Sequence, residues 1–168
     1  MDIENVLAAN RSALDEMVET AEKARVNWTT PRASGKWSAS QVTEHVALSM
    51  EEAAKMISEQ PTKLPTLPAI ARPLARAFLF NRVLKKRAFP NVKTSDPLDP
   101  PSGPASPEEA RDRLHVAFAG FADACRDRAA AGKDIASGAF GNVSVVDYAT
   151  FMEVHTRHHT AQIPVSAA

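Results

Sequence analysis

Three short runs in this chain carry the same helix-start signature, and they restrict the fold more than any other feature. In W-S-A-S-Q-V (37–42), Ser38 can cap a helix and Gln41 stands at the capping-box position, with Trp37 and Val42 spaced as a hydrophobic staple. In S-P-E-E (106–109), Ser106 caps, Pro107 takes the first helical position and Glu109 completes a second box. In V-S-V-V-D-Y (143–148), Ser144 caps, Asp147 sits three residues on, and Val143 and Tyr148 fit the staple. Each run opens a segment with apolar residues three or four apart.

The segment after Ser38 is expected to run to about Glu59, with Val42, His45, Val46, Ser49, Ala53 and Met56 inward. The one after Ser106 presents Leu114, Phe118, Phe121 and Cys125 and stops at Gly132. The last ends near Gln162, before Pro164. Residues 2–24 form a further helix through Ile3, Leu7, Leu14, Met17 and Ala21. No convincing strand and only 6 Gly in an alanine-rich chain favour an all-α fold. The expectation is a four-helix bundle in one domain, residues 1–168.

Residues 61–106 break the pattern. P-T-K-L-P-T-L-P and S-D-P-L-D-P-P-S-G-P exclude regular helix or inner strand. Between them, Ala69 to Arg87 can form one or two short helices, broken or kinked near Pro73. This insert separates the second and third long helices by over 40 residues, which permits a crossover. It is also where charge gathers. The chain is neutral, with 20 basic and 20 acidic side chains. Lys63, Arg72, Arg76, Arg82, Lys85, Lys86, Arg87 and Lys93 all fall within 60–95, where there is no acid, so the rest is acidic.

The single cysteine, Cys125, excludes an internal disulfide and fits a reducing compartment. No stretch approaches the roughly 20 apolar residues of a membrane span, and the acidic opening M-D-I-E-N is unlike a signal peptide. A cytoplasmic location is expected. Nucleic-acid binding is not, since the chain is neutral and carries no binding motif.

Three of the five histidines crowd into H-T-R-H-H, 155–159. His155 and His159 are four apart, on one helix face. His158 is a rival partner for His155 but points about 100° away from His159. Tyr148, Met152, His155, His159 and Gln162 share one stripe whose apolar members turn it inward. His45 lies on the inward face of its own helix. Three inward imidazoles from two helices need hydrogen-bond partners or a metal ion. Three protein ligands would leave a coordination position open, the catalytic pattern, and neutral imidazoles suit Zn, Ni, Fe or Co alike.

The pairing of G-K-W-S-A-S-Q-V-T-E-H-V (35–46) with H-T-R-H-H-T-A-Q-I (155–163) resembles the DinB-like superfamily of metalloenzymes. The resemblance implies an up-down-down-up four-helix bundle, for which the long link between helices two and three is suited. It implies one divalent metal ion held by His45, His155 and His159. Characterised relatives include S-transferases and isomerases that use low-molecular-weight thiols. A small-molecule substrate, a thiol co-substrate and a homodimer are therefore implied.

Other residues keep two readings. Gln162 either hydrogen-bonds a substrate or water at the site or is a polar helix end. Tyr148 either donates a proton into the site or packs in the core. Glu44 reads as solvated and Glu153 as solvated or supporting a histidine. Cys125 reads as a buried, inert thiol, and His115 as structural or surface. The segment 69–88, with Phe78, Leu79, Phe80, Val83 and Leu84 among cations, reads as an accessory helix on the bundle. The alternative is a non-catalytic module that uses it for dimerisation or contact with an anionic membrane.

Overall fold

In the computed structural model, residues 2–90 and 96–165 are described, so Lys93 of the basic segment lies outside them. The protein is mostly helical. The long helices are α1 (Ile3–Lys23), α2 (Ala39–Ile57), α5 (Pro107–Ala130) and α6 (Val145–Thr160). Short helices α3 (Arg72–Ala75) and α4 (Asn81–Lys86) lie in the insert. Two three-residue strands, β1 (Ile135–Ser137) and β2 (Gly141–Val143), pair antiparallel.

The expected caps form. Ser38 Oγ accepts from the Gln41 N–H while the Gln41 side chain accepts from the Ser38 N–H, a complete box. Ser106 and Ser144 accept from the Glu109 and Asp147 N–H groups. Glu109, however, reaches back to the Ala105 N–H at 2.9 Å, one residue before the cap. Gly132 follows α5 with φ +63°, a conformation that costs glycine nothing.

The amphipathic stripes set the packing. α1 lies along α6, and α2 along α5. The stripe residues expected inside on α2 and α5 are all buried, with Leu114, Phe121 and Cys125 fully so. Asn10, wholly buried on α1, donates to the Ala149 carbonyl at 2.9 Å and ties α1 to α6.

Two expectations are corrected. The sequence showed no strand, yet 135–143 forms a hairpin. Its strands are too short for a periodic signal, and Gly141 at φ +71° opens β2 directly after the turn. The expected break near Pro73 is also misplaced. Pro73 sits in the first turn of α3, where its missing N–H costs nothing. The irregularity is a π-helical turn, Arg76–Phe80, that joins α3 to α4. Phe80 and Val83 are buried against the body, so the segment packs as an accessory helix.

The two proline-rich stretches are ordered straps. Proline lacks an N–H but keeps its carbonyl, and the second strap uses its carbonyls as acceptors. Pro104 O accepts from Trp28 Nε1 at 2.7 Å and Ser40 Oγ at 2.8 Å, and Pro100 O from Gln41 Nε2 at 3.0 Å. Gly103 allows this approach, since a Cβ there would lie 2.2 Å from the Ser40 carbonyl oxygen.

Candidate metal centre

His45 lies two turns into α2, and His155 and His159 lie on the last turns of α6. The packing brings the three together as the sequence reading expected. Each offers one ring nitrogen, and the three nitrogens lie within 4.8 Å of one another. His45 and His159 are buried and His155 is half-buried.

The partners of the outer ring nitrogens fix the tautomers. His45 Nδ1 lies 2.7 Å from the Leu98 carbonyl on the second strap. A carbonyl only accepts, so Nδ1 carries the proton and Nε2 presents a lone pair. His159 Nδ1 donates likewise to Gln162 Oε1 at 3.0 Å, and the Gln162 amide donates to His158 Nε2 at 2.9 Å. His158 is thereby held outside the cluster. His155 Nε2 faces His45 Nε2 at 3.3 Å, while its Nδ1 is buried with no hydrogen-bond partner among the described residues. Among the described residues, the protein groups satisfy no tautomer of His155 fully.

A metal ion fits this donor set. Burial lowers the pKa of all three rings. At His155, well below its usual value, the neighbouring imidazoles add to burial, and at His159, pushed down to about 3, His45 and His158 do the same. All three are neutral at pH 7, the protonation state that ligates. Two nitrogens at 2.0–2.1 Å from a tetrahedral ion stand about 3.3 Å apart, and the His45–His155 separation of 3.3 Å matches.

The walls are aromatic. The Trp37 ring lies 4.7 Å from His45 and 5.9 Å from His159, and its Nε1 donates to Asp99 at 2.9 Å. Phe89 meets His155 edge-on at 5.3 Å. A cavity of about 800 Å³ opens at the histidines and runs inward between α2 and α6. Tyr148 lines it, two turns from His155, with its ring stacked near Phe80 and Phe151. Burial pushes its hydroxyl pKa up, so the group stays protonated.

Other expectations resolve differently. Glu153 is buried and bonds no histidine in this structure; Arg87 and Arg157 take its carboxylate. Glu44 is largely covered and pairs with Arg113 at 3.2 Å, where the sequence suggested a solvated face. Burial raises the Cys125 thiol to about 12, which leaves it inert. His115 is half-exposed near Asp15. Sequence reasoning gave no site role to Trp37, Phe89, Asp99 or the Leu98 carbonyl. The proximity of Trp37 to the Ser38 cap, and so to His45, was the one available signal.

A helical protein with three converging neutral imidazoles that can hold a metal ion is the class that fold and site define. The DinB superfamily model matches residues 7–163, and the chain belongs to that superfamily. No curated protein and no solved structure matches it. Among the described residues no helix is long and apolar enough to cross a membrane.

Proposed function

We propose that the chain is a metal-dependent enzyme in which His45, His155 and His159 hold one divalent ion, of Zn, Ni, Fe or Co. The observation that carries this is the convergence of three ring nitrogens within 4.8 Å at the head of a large cavity. On this reading the chain is one four-helix domain with an up-down-down-up course. The bound ion would supply Lewis acidity that activates water or a low-molecular-weight thiol for hydrolysis or transfer on a small organic substrate.

The protein's own groups then have separate tasks. The Leu98 carbonyl and Gln162 orient His45 and His159, as partners of ligating imidazoles do. Trp37 and Phe89 screen the rings from solvent. The Tyr148 hydroxyl is a proton donor to the inner cavity. The test is consumption of a small thiol, or hydrolysis of an activated ester, by protein loaded with each of the four metals. Turnover that needs the ion and disappears in His155→Ala supports the reading. Full metal uptake with no turnover across such a panel contradicts it.

A second reading, a non-catalytic metal-containing module, draws on one observation. Ile70, Leu74 and Phe78 are 88%, 61% and 72% exposed along the basic segment, a surface suited to a homodimer contact or an anionic membrane.

A further inference from the structure

The cavity is segregated by polarity along its length. Its lining on α2 runs from Val42 to Met56 and on α6 from His159 back to Tyr148. The spans cover about 21 Å on α2 and about 16 Å on α6, at 1.5 Å per residue. The charged lining groups, Arg32, Lys36 and Asp99, belong to the loop before α2 and to the second strap, beside Trp37 and Leu98 at the histidine end. Arg32 and Lys36 are exposed at the mouth.

Beyond the histidines no charged side chain among the described residues lines the space. From His155 to Tyr148 is about 10 Å of helix, and from His45 to Met56 about 16 Å. The walls there include Met56, Leu64, Phe140, Phe151 and Met152. The polar exceptions are Ser49, whose Oγ donates to the His45 carbonyl, Ser137, whose Oγ accepts from the Phe140 N–H, and the Tyr148 hydroxyl.

At the far end Leu64 and Pro65 of the first strap line the space. The Leu67 N–H donates to the Gly138 carbonyl in the hairpin turn at 3.0 Å. The buried Glu52 carboxylate accepts from the Lys63 N–H at 2.6 Å and from Thr62 at 3.0 Å. A chain that needed only to expose three histidines would not require this apolar extension.

We propose that the substrate carries an extended, uncharged apolar tail that occupies this inner channel, with its reactive polar end at the histidines. This deepens the enzyme reading and rests on it for the word substrate; the channel itself is a property of the walls. A charged tail would be left unpaired there. A compact polar substrate would leave most of the apolar lining unused.

The test is the binding of straight-chain primary alcohols, from butanol to decanol, measured by calorimetry on metal-loaded and metal-free protein. Affinity should rise about fourfold per added methylene until the channel is full, then level off. Ser49→Phe, about 6 Å of helix beyond His45, should remove the dependence for all but the shortest members. Ala139→Phe, at the far end, should affect only the longest, and it serves if Ser49→Phe fails to fold. Affinity flat in chain length, or an unchanged length dependence in folded variants, overturns the proposal. Absence of metal uptake would instead sink the enzyme reading, and the alcohol series would still report on the channel.

Discussion

The two proline-rich straps hold opposite ends of one cavity, and they are held by different means. The strap at 98–104 is stitched to Trp28 and to the first turns of α2 by its carbonyls, and one of these, Leu98 O, sets the His45 tautomer. The strap at 62–67 hangs from a buried carboxylate, Glu52, and from one hydrogen bond to the hairpin turn. The first strap fixes a donor atom, so small displacements reach the chemistry. The second only bounds a space, so its displacement changes shape and leaves the donors alone.

Each strap approaches its support at a glycine, which allows the contrast to be broken directly. A Cβ at Gly103 meets the backbone of Ser40 at 2.2 and 2.6 Å, atoms that a helix start cannot yield. Gly103→Ala should cost about 1–3 kcal/mol in denaturant unfolding, the range for overpacking, and should weaken metal binding in a titration by releasing Leu98 from His45.

Acid should separate the two ends next in size. The histidines bind protons in the unfolded chain below about 6.5, whereas burial keeps them neutral in the folded one. Their contribution is present above that pH and is lost as pH falls below it. At Glu52 burial pushes the pKa up, but Lys55, the Lys63 N–H and Thr62 together hold it below its usual 4.5. Its contribution is lost only below that value. Hydrogen exchange on metal-free protein should therefore show loosening near α6 between pH 6.5 and 4.5, with Lys63 and Leu67 released at lower pH. Simultaneous release would refute the separation.

Gly138→Ala should have the smallest effect. Its Cβ would meet the Thr66 side chain at 2.6 Å, which can rotate, and two backbone atoms at 3.2 and 3.3 Å. The strap gives by a few tenths of an ångström, so stability falls by about 1 kcal/mol or less. Metal uptake, followed by mass spectrometry, should not change.

The same contrast divides what the sequence revealed from what it hid. Ser38, Ser106 and Ser144 announce their helices because a cap is local, made within four residues. His45, His155 and His159 were legible because helical spacing places them on inward stripes. The straps were not, since each proline carbonyl finds its donor tens of residues away, as Pro104 does at Trp28. Glu44 read as solvated, and Glu153 as solvated or supporting a histidine, because their partners Arg113 and Arg87 meet them only in the fold. Phe89 sits in a basic run with no periodicity to aim it, and the hairpin strands are too short to alternate visibly.

The central claim is that three imidazoles from two helices hold one ion. Metal content should be measured by mass spectrometry on protein purified without a histidine tag or added metal, beside His45→Ala and His155→Ala. The account predicts about one equivalent in the native chain and loss in both variants. No metal even after reconstitution, or uptake unchanged in the variants, would contradict it.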